Sequence, residues 1–187
     1  NISIIDFPNL KNEIIERYKR TRLEYNIDKK EFGEEIYLHG DTKAYRIGAV
    51  IPSNIELHKY QEEAIDKWEK QNFRGIFDMA TGTGKTYTSL AAVSKLYSDV
   101  NQNLAVIIVC PYQHLVEQWK EDIVAFGMRP IVCYSASSQR NWRERLKTAV
   151  TSFSLGVQNH FCMVSTNATF SIDYVQDLIL KLNGNVV

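Results

Sequence analysis

Nowhere in the sequence do apolar residues run for the roughly 18 positions that cross a bilayer, so no membrane-spanning helix is expected and the chain reads as cytoplasmic. Cysteine is scarce. Cys110, Cys133 and Cys162 each lie in an apolar run, "IIVCP", "PIVCYS" and "FCMVST". None is paired with His39, His58, His114 or His160 at metal-site spacing, so all three read as reduced, buried small hydrophobes. Net charge is missing as well. Twenty-two basic residues cancel 22 acidic ones, which removes any global basic signal for nucleic acid but leaves room for a local patch. The first twenty residues carry an early acid and then become charged and helical, unlike a secretory signal. No internal repeat or low-complexity stretch occurs.

What remains is an ordinary globular composition. With 187 residues, 44% hydrophobic and 24% charged, the chain can fill one α/β core with a modest appendage. Residues 9–22 place Leu10, Ile14, Ile15 and Tyr18 on one helical face. Two short strands are expected around a turn at Gly40-Asp41. Pro52 and Ser53 mark a boundary, so residues 1–53 read as an accessory α+β segment and 54–187 as the main domain.

From there strands and helices alternate. Helices are expected over 54–71, 84–98, 114–126, 137–150 and 172–182. Strands are expected over 74–80, 104–110, 130–135 and 160–166, and another begins at "NGNVV". "LAVIIVC" is apolar at every position, as in a strand covered on both faces. The alternation predicts a largely parallel sheet with helices on both sides.

One stretch carries chemistry. "MATGTGKT" (79–86) follows an expected strand and opens a helix. Gly82 and Gly84 let the backbone curl so that N–H groups, with those of Thr81 and Thr83, point inward at the positive end of the helix. Lys85 can reach the β- and γ-phosphates of a nucleotide, and Thr86 offers a hydroxyl to Mg²⁺. The general P-loop pattern has glycine where this chain has Met79. The third glycine of a dinucleotide fingerprint is absent, which sets that reading aside.

With Met79 in place, the stretch resembles motif I of the superfamily 2 helicases and translocases, the group of DEAH-type helicases, restriction-enzyme motor subunits and excision-repair helicases. "LHKYQEEAI" (57–65) is similar to the segment that precedes motif I there, whose glutamine faces adenine; His58 stands where that family often has arginine. "VCPYQHLVEQW" (109–119) resembles motif Ia and "VSTNATF" (164–170) motif Ic, both of which touch the nucleic-acid backbone. The resemblance covers about residues 55–187 and implies a RecA-like P-loop domain using ATP and Mg²⁺. It implies Lys85 and Thr86 as catalytic, and Gln61 as the adenine-facing residue. It also implies Gln113, His114 and Thr166 as nucleic-acid contacts, with DNA favoured over RNA.

Plainer roles stand beside these. Gln61 could be a surface-helix glutamine. Gln113, His114 and Gln118 could be caps and solvated face, and Thr166 or Asn167 a helix N-cap. Trp68, Trp119 and Trp142 sit at apolar helical positions and read as core, while Trp142 among Arg140, Arg143, Arg145 and Lys147 could stack a base.

The family's motor also needs an acidic box after motif Ic to hold the metal and orient water. No Asp-Glu pair occurs anywhere in the sequence; Asp78, Asp173 and Asp177 are poorly placed for the task. The sequence therefore reads as the front of a first RecA-like domain, incomplete at its C-terminus, whose whole protein has a second such domain and whose own turnover is negligible. The alternative class is a non-motor P-loop protein or a small-molecule kinase.

Overall fold

The computed structural model describes residues 48–187. The helix expected over 9–22, the strands around Gly40-Asp41 and most of the accessory segment lie outside the described residues. Helix α1 is Lys59–Lys70 and α2 is Lys85–Asp99. Strand β1 (Leu104–Cys110) leads to α3 (Gln113–Ala125) and β2 (Pro130–Cys133). Then come α4 (Trp142–Ser154), β3 (His160–Thr166), the single turn α5 (Asn167–Phe170) and α6 (Asp173–Ile179).

The three strands form a parallel sheet in the order β1-β3-β2. Its register sets Cys110 opposite Thr166 and Cys133 opposite Ser165, so the carboxyl ends of all three strands line up. Alternate residues feed two cores, as the period of two requires. Leu104, Val106, Val132 and Val164 join Leu90, Val116, Ile123 and Phe126 from α2, α3 and the end of α3. Ala105, Ile131, Phe161 and Met163 join Leu146, Val150 and Val175 from α4 and α6. The expected mostly parallel sheet with helices on both faces is what the chain forms.

All three cysteines are buried and free. Burial pushes the Cys133 thiol up to about 12 and raises Cys162 further. Trp142 is also core, 6% exposed, with the Arg143 guanidinium 5.3 Å from its ring centroid. Trp68 and Trp119 are partly buried against the first core. Gly127, with φ +81°, ends α3 as expected.

Two segments differ from the sequence expectation. Residues 74–80 form no strand and join no sheet, Asp78 N–H turning back to donate to Ile76 O at 3.1 Å, and Ile76 is 92% exposed. A strand is stable only against a neighbour's backbone, and β1's free edge is taken instead by residues 185–187. Ala105 N–H donates to Asn185 O at 2.9 Å, Ile107 N–H to Val187 O at 2.8 Å, and Val187 N–H back to Ala105 O at 3.0 Å. So "NGNVV" does begin a sheet contact.

The helix expected from residue 137 starts only at Trp142, because the preceding loop serves the outer edge of β2. Gln139 Oε1 accepts from Val132 N–H at 3.0 Å, Gln139 Nε2 donates to Pro130 O at 3.4 Å, and Ser137 Oγ donates to Val132 O at 2.8 Å. One side-chain amide thus completes an edge that would otherwise leave buried donors unmade. Gln139→Ala should destabilise the fold by about 1–3 kcal/mol, the cost of orphaning the Val132 amide. Urea unfolding would measure it, and a change under about 0.5 kcal/mol would show that water replaces the amide.

Candidate nucleotide site

The 79–86 loop is shaped by two left-handed glycines, Gly82 at φ +82° and Gly84 at φ +76°. Gly84 is the N-cap of α2, whose first turn carries no acidic residue. A phosphate approaching this helix end would therefore meet the positive pole of the helix without a competing carboxylate in that turn. Lys85 is exposed, and its ammonium reaches back across the loop to donate to Met79 O and Ala80 O, both at 2.9 Å. Thr83 Oγ1 donates to Ala80 O at 2.7 Å and tightens the same turn. Thr86 is half-buried, one residue into the helix, and Thr81 and Gly82 are exposed at the loop's tip.

Gln61 is where sequence and structure differ most in emphasis. It is not a surface glutamine but 4% exposed. Its Oε1 accepts from His58 N–H at 2.9 Å, which closes the start of α1. Its Nε2 donates to Thr88 Oγ1 at 2.9 Å and lies 3.5 Å from both Thr83 O and Gly84 O. One amide therefore ties α1 to the 79–86 loop and to the first turn of α2. Tyr60 adds a second tie, its hydroxyl donating to Thr83 O at 2.9 Å. Thr88, fully buried, passes the link on to Gly84 O at 3.1 Å.

Tyr60 and Thr88 were not singled out in the sequence. Their signal was weak, since a tyrosine and a threonine at helix ends are common. Gln61 did carry a readable sign: Leu57 and Ile65, four residues on either side, put it on the inward face.

The nucleic-acid candidates gather at the carboxyl edge of the sheet. Gln113 and His114 are exposed at the start of α3, directly after β1, with His114 stacked on Tyr112 at 5.6 Å between centroids. Thr166 ends β3 opposite Cys110. Its Oγ1 accepts from Thr169 N–H at 3.3 Å and so caps α5, and the residue is 7% exposed. The capping role named as its alternative is thus filled by Thr166 rather than Asn167. Gln118 is exposed on α3. Ser135, Ser138 and Arg140 line a small polar hollow after β2, beside Trp142.

Asp173 starts α6 and Asp177 lies within it, while Asp78 is exposed in the irregular segment before the loop. Among the described residues no group of three or more His, Cys, Asp or Glu side chains is placed to hold a metal ion. No helix of the described residues is long and apolar enough to cross a membrane.

Comparison with known proteins agrees with this arrangement. Residues 54–179 match the family described as type III restriction enzyme, res subunit. A stretch of 74 residues is 42% identical to the DNA 3'-5' translocase XPB2 of Sulfurisphaera tokodaii. That match covers 40% of this chain and 15% of the relative, so the chain spans a small part of that protein's length. With the family match running from just before α1, through the 79–86 loop, to the end of α6, the chain belongs to the type III restriction enzyme res subunit family of helicase-like proteins.

Proposed function

We propose that residues 54–187 form the nucleotide-binding part of an ATP-driven DNA translocase, in a whole protein where a second RecA-like domain closes over the bound ATP. The observation that carries this reading is the loop itself: two left-handed glycines, an acid-free helix end and the Lys85 ammonium at one place. Those groups fit a triphosphate. Beyond Gly82, an added Cβ would meet nothing within 4 Å, so the loop's outer side is open to a ligand. The backbone N–H groups of 81–84 would bind phosphate oxygens, and Lys85 would exchange its carbonyl partners for them. The Thr86 hydroxyl would meet Mg²⁺, which supplies charge neutralisation between the β- and γ-phosphates. Gln113, His114 and Thr166, on the carboxyl edge, would contact the DNA backbone and carry no sequence preference.

The naming of the relative as a DNA translocase supports DNA over RNA. The test is ATP turnover by the whole protein with added duplex DNA or RNA. Stimulation by DNA is expected; stimulation by RNA alone, or by neither, would contradict the reading.

Two expectations follow within the site. Gln61→Ala should narrow the preference for ATP over GTP if this amide also faces the base. Its ties to Thr83, Gly84 and Thr88 mean that affinity for both nucleotides should fall as well. Competition binding with both nucleotides reads the ratio, and an unchanged ratio with equally weakened binding would leave Gln61 as a brace only. The 187-residue chain by itself should show no Lys85-dependent phosphate release, because its sequence holds no Asp-Glu pair of the kind that holds the metal and orients an attacking water. Turnover near one per second, lost in Lys85→Ala, would place the catalytic acid at Asp78, Asp173 or Asp177.

A further inference from the structure

Tyr112 is the most exposed of the tyrosine, phenylalanine and tryptophan side chains among the described residues, at 63%. A ring scattered alone on a surface needs no explanation, but this one is posed and paired. The His114 imidazole lies against it, 9° from parallel with centroids 5.6 Å apart. Tyr112 is the N-cap of α3, extended at φ −135° and ψ 153°, and Pro111 before it stiffens the exit from β1. The hydroxyls of Tyr60, Tyr134 and Tyr174 each donate to another part of the fold. That of Tyr112 makes no hydrogen bond among the described residues. The fold thus holds the ring by its backbone and by His114, and leaves much of it to solvent.

The place matters as much as the ring. Tyr112 follows the end of β1, at the carboxyl edge of the sheet, with exposed Gln113 beside it. The first turn of α3 carries no acidic residue, so no carboxylate in that turn repels a phosphodiester. The end of β2 is two strand spacings away, roughly 10 Å. The loop after it sets exposed Ser135, Ser138 and Arg140 around the polar hollow. Donors and a cation therefore stand on one side of the aromatic pair, and an amide on the other.

We propose that Tyr112, backed by His114, is a stacking platform for an unpaired base of the DNA strand. This rests on the reading of the carboxyl edge as the DNA-contacting face and adds a selection to it. Contacts to phosphates position a strand without reading its bases. A stacking platform asks for a free base face, and inside a duplex each base is covered above and below by its neighbours. Only an unpaired or terminal base can lie on Tyr112. Every base has a π-face, so the platform selects single-stranded DNA without selecting a sequence. Gln113 and Arg140 would take the phosphates that flank the stacked nucleotide.

Fluorescence anisotropy on the intact 187-residue chain tests this. The probes are two labelled single strands of equal length, oligothymidylate and the same sugar-phosphate backbone made abasic. The wild-type chain should bind oligothymidylate about tenfold more tightly, the worth of one base–aromatic stack. Tyr112→Ala should erase that difference by weakening the oligothymidylate complex alone. Tyr112→Phe keeps the ring and should keep the preference. Gln113→Ala should weaken both complexes equally. Equal affinity of the wild type for the two strands would overturn the platform while leaving the backbone contacts standing. So would a preference that survives in Tyr112→Ala, or one that is lost in Tyr112→Phe. Binding of neither strand would overturn both the platform and the DNA reading beneath it, so the two failures are told apart.

Discussion

Lys85→Ala should abolish DNA-stimulated ATP turnover in the whole protein while leaving the fold intact. Removing one preorganised charge-stabilising donor costs about 10²–10³ in rate, roughly 2.7–4 kcal/mol of transition-state stabilisation. The structure explains why stability should be spared. Lys85 is exposed, and the Met79 and Ala80 carbonyls that accept its hydrogen bonds lie in the same open loop, where water can replace the ammonium. The expected change in unfolding free energy is within about 0.5 kcal/mol. Steady-state turnover and urea unfolding, measured on the same preparation, separate the two effects. Wild-type turnover by a folded Lys85→Ala protein would remove the lysine from the chemistry.

Gly84→Ala should be the most damaging small substitution in the site, and more damaging than Gly82→Ala. Both glycines are left-handed, which costs an alanine about 1–2 kcal/mol at either position. Only Gly84 also has a neighbour in the way. A Cβ there would lie 2.9 Å from Gln61 Nε2, whereas one at Gly82 would meet nothing within 4 Å. To make room, the end of the Gln61 side chain must shift, which strains its buried hydrogen bond to Thr88 Oγ1. That adds up to about 1 kcal/mol, the net worth of a typical hydrogen bond, to the conformational cost. Thermal or urea unfolding of the two variants should rank Gly84→Ala below Gly82→Ala by that margin. Equal stability would mean that Gln61 moves freely and does not brace the loop.

The parts of the fold legible in the sequence are those where one local rule decides. β1 is apolar at every position and β3 from Phe161 to Val164 because both faces are covered, and the observed limits of both strands are the expected ones. The tight turn of the 79–86 loop was legible because Gly82 and Gly84 answer a backbone requirement that few other residues meet. Residues 74–80, "RGIFDMA", read as a short strand before the loop, yet pairing belongs to the neighbour as much as to the segment. The late start of α4 had a similar cause. Helical spacing runs back through Gln139, but that side chain is spent on the edge of β2. Gln61 shows the opposite case. Its position was read through a resemblance, while its burial and its three-way tie to the loop depend on Thr83, Gly84 and Thr88, more than twenty residues away. The spacing of Leu57 and Ile65 marks the inward face locally, but partners at that separation cannot be read from either stretch.

Equilibrium titration of MgATP into the intact 187-residue chain, alongside its Lys85→Ala variant, tests the central claim most directly. Backbone N–H groups and one ammonium around the phosphates should give a dissociation constant in the micromolar-to-millimolar range, equivalent to roughly 4–8 kcal/mol. The variant should bind at least about tenfold more weakly, the loss of one charge-assisted contact. Saturable binding that depends on Lys85 is the predicted result. Binding that is absent at millimolar MgATP, or identical in the two proteins, would contradict the assignment of the 79–86 loop as the nucleotide site.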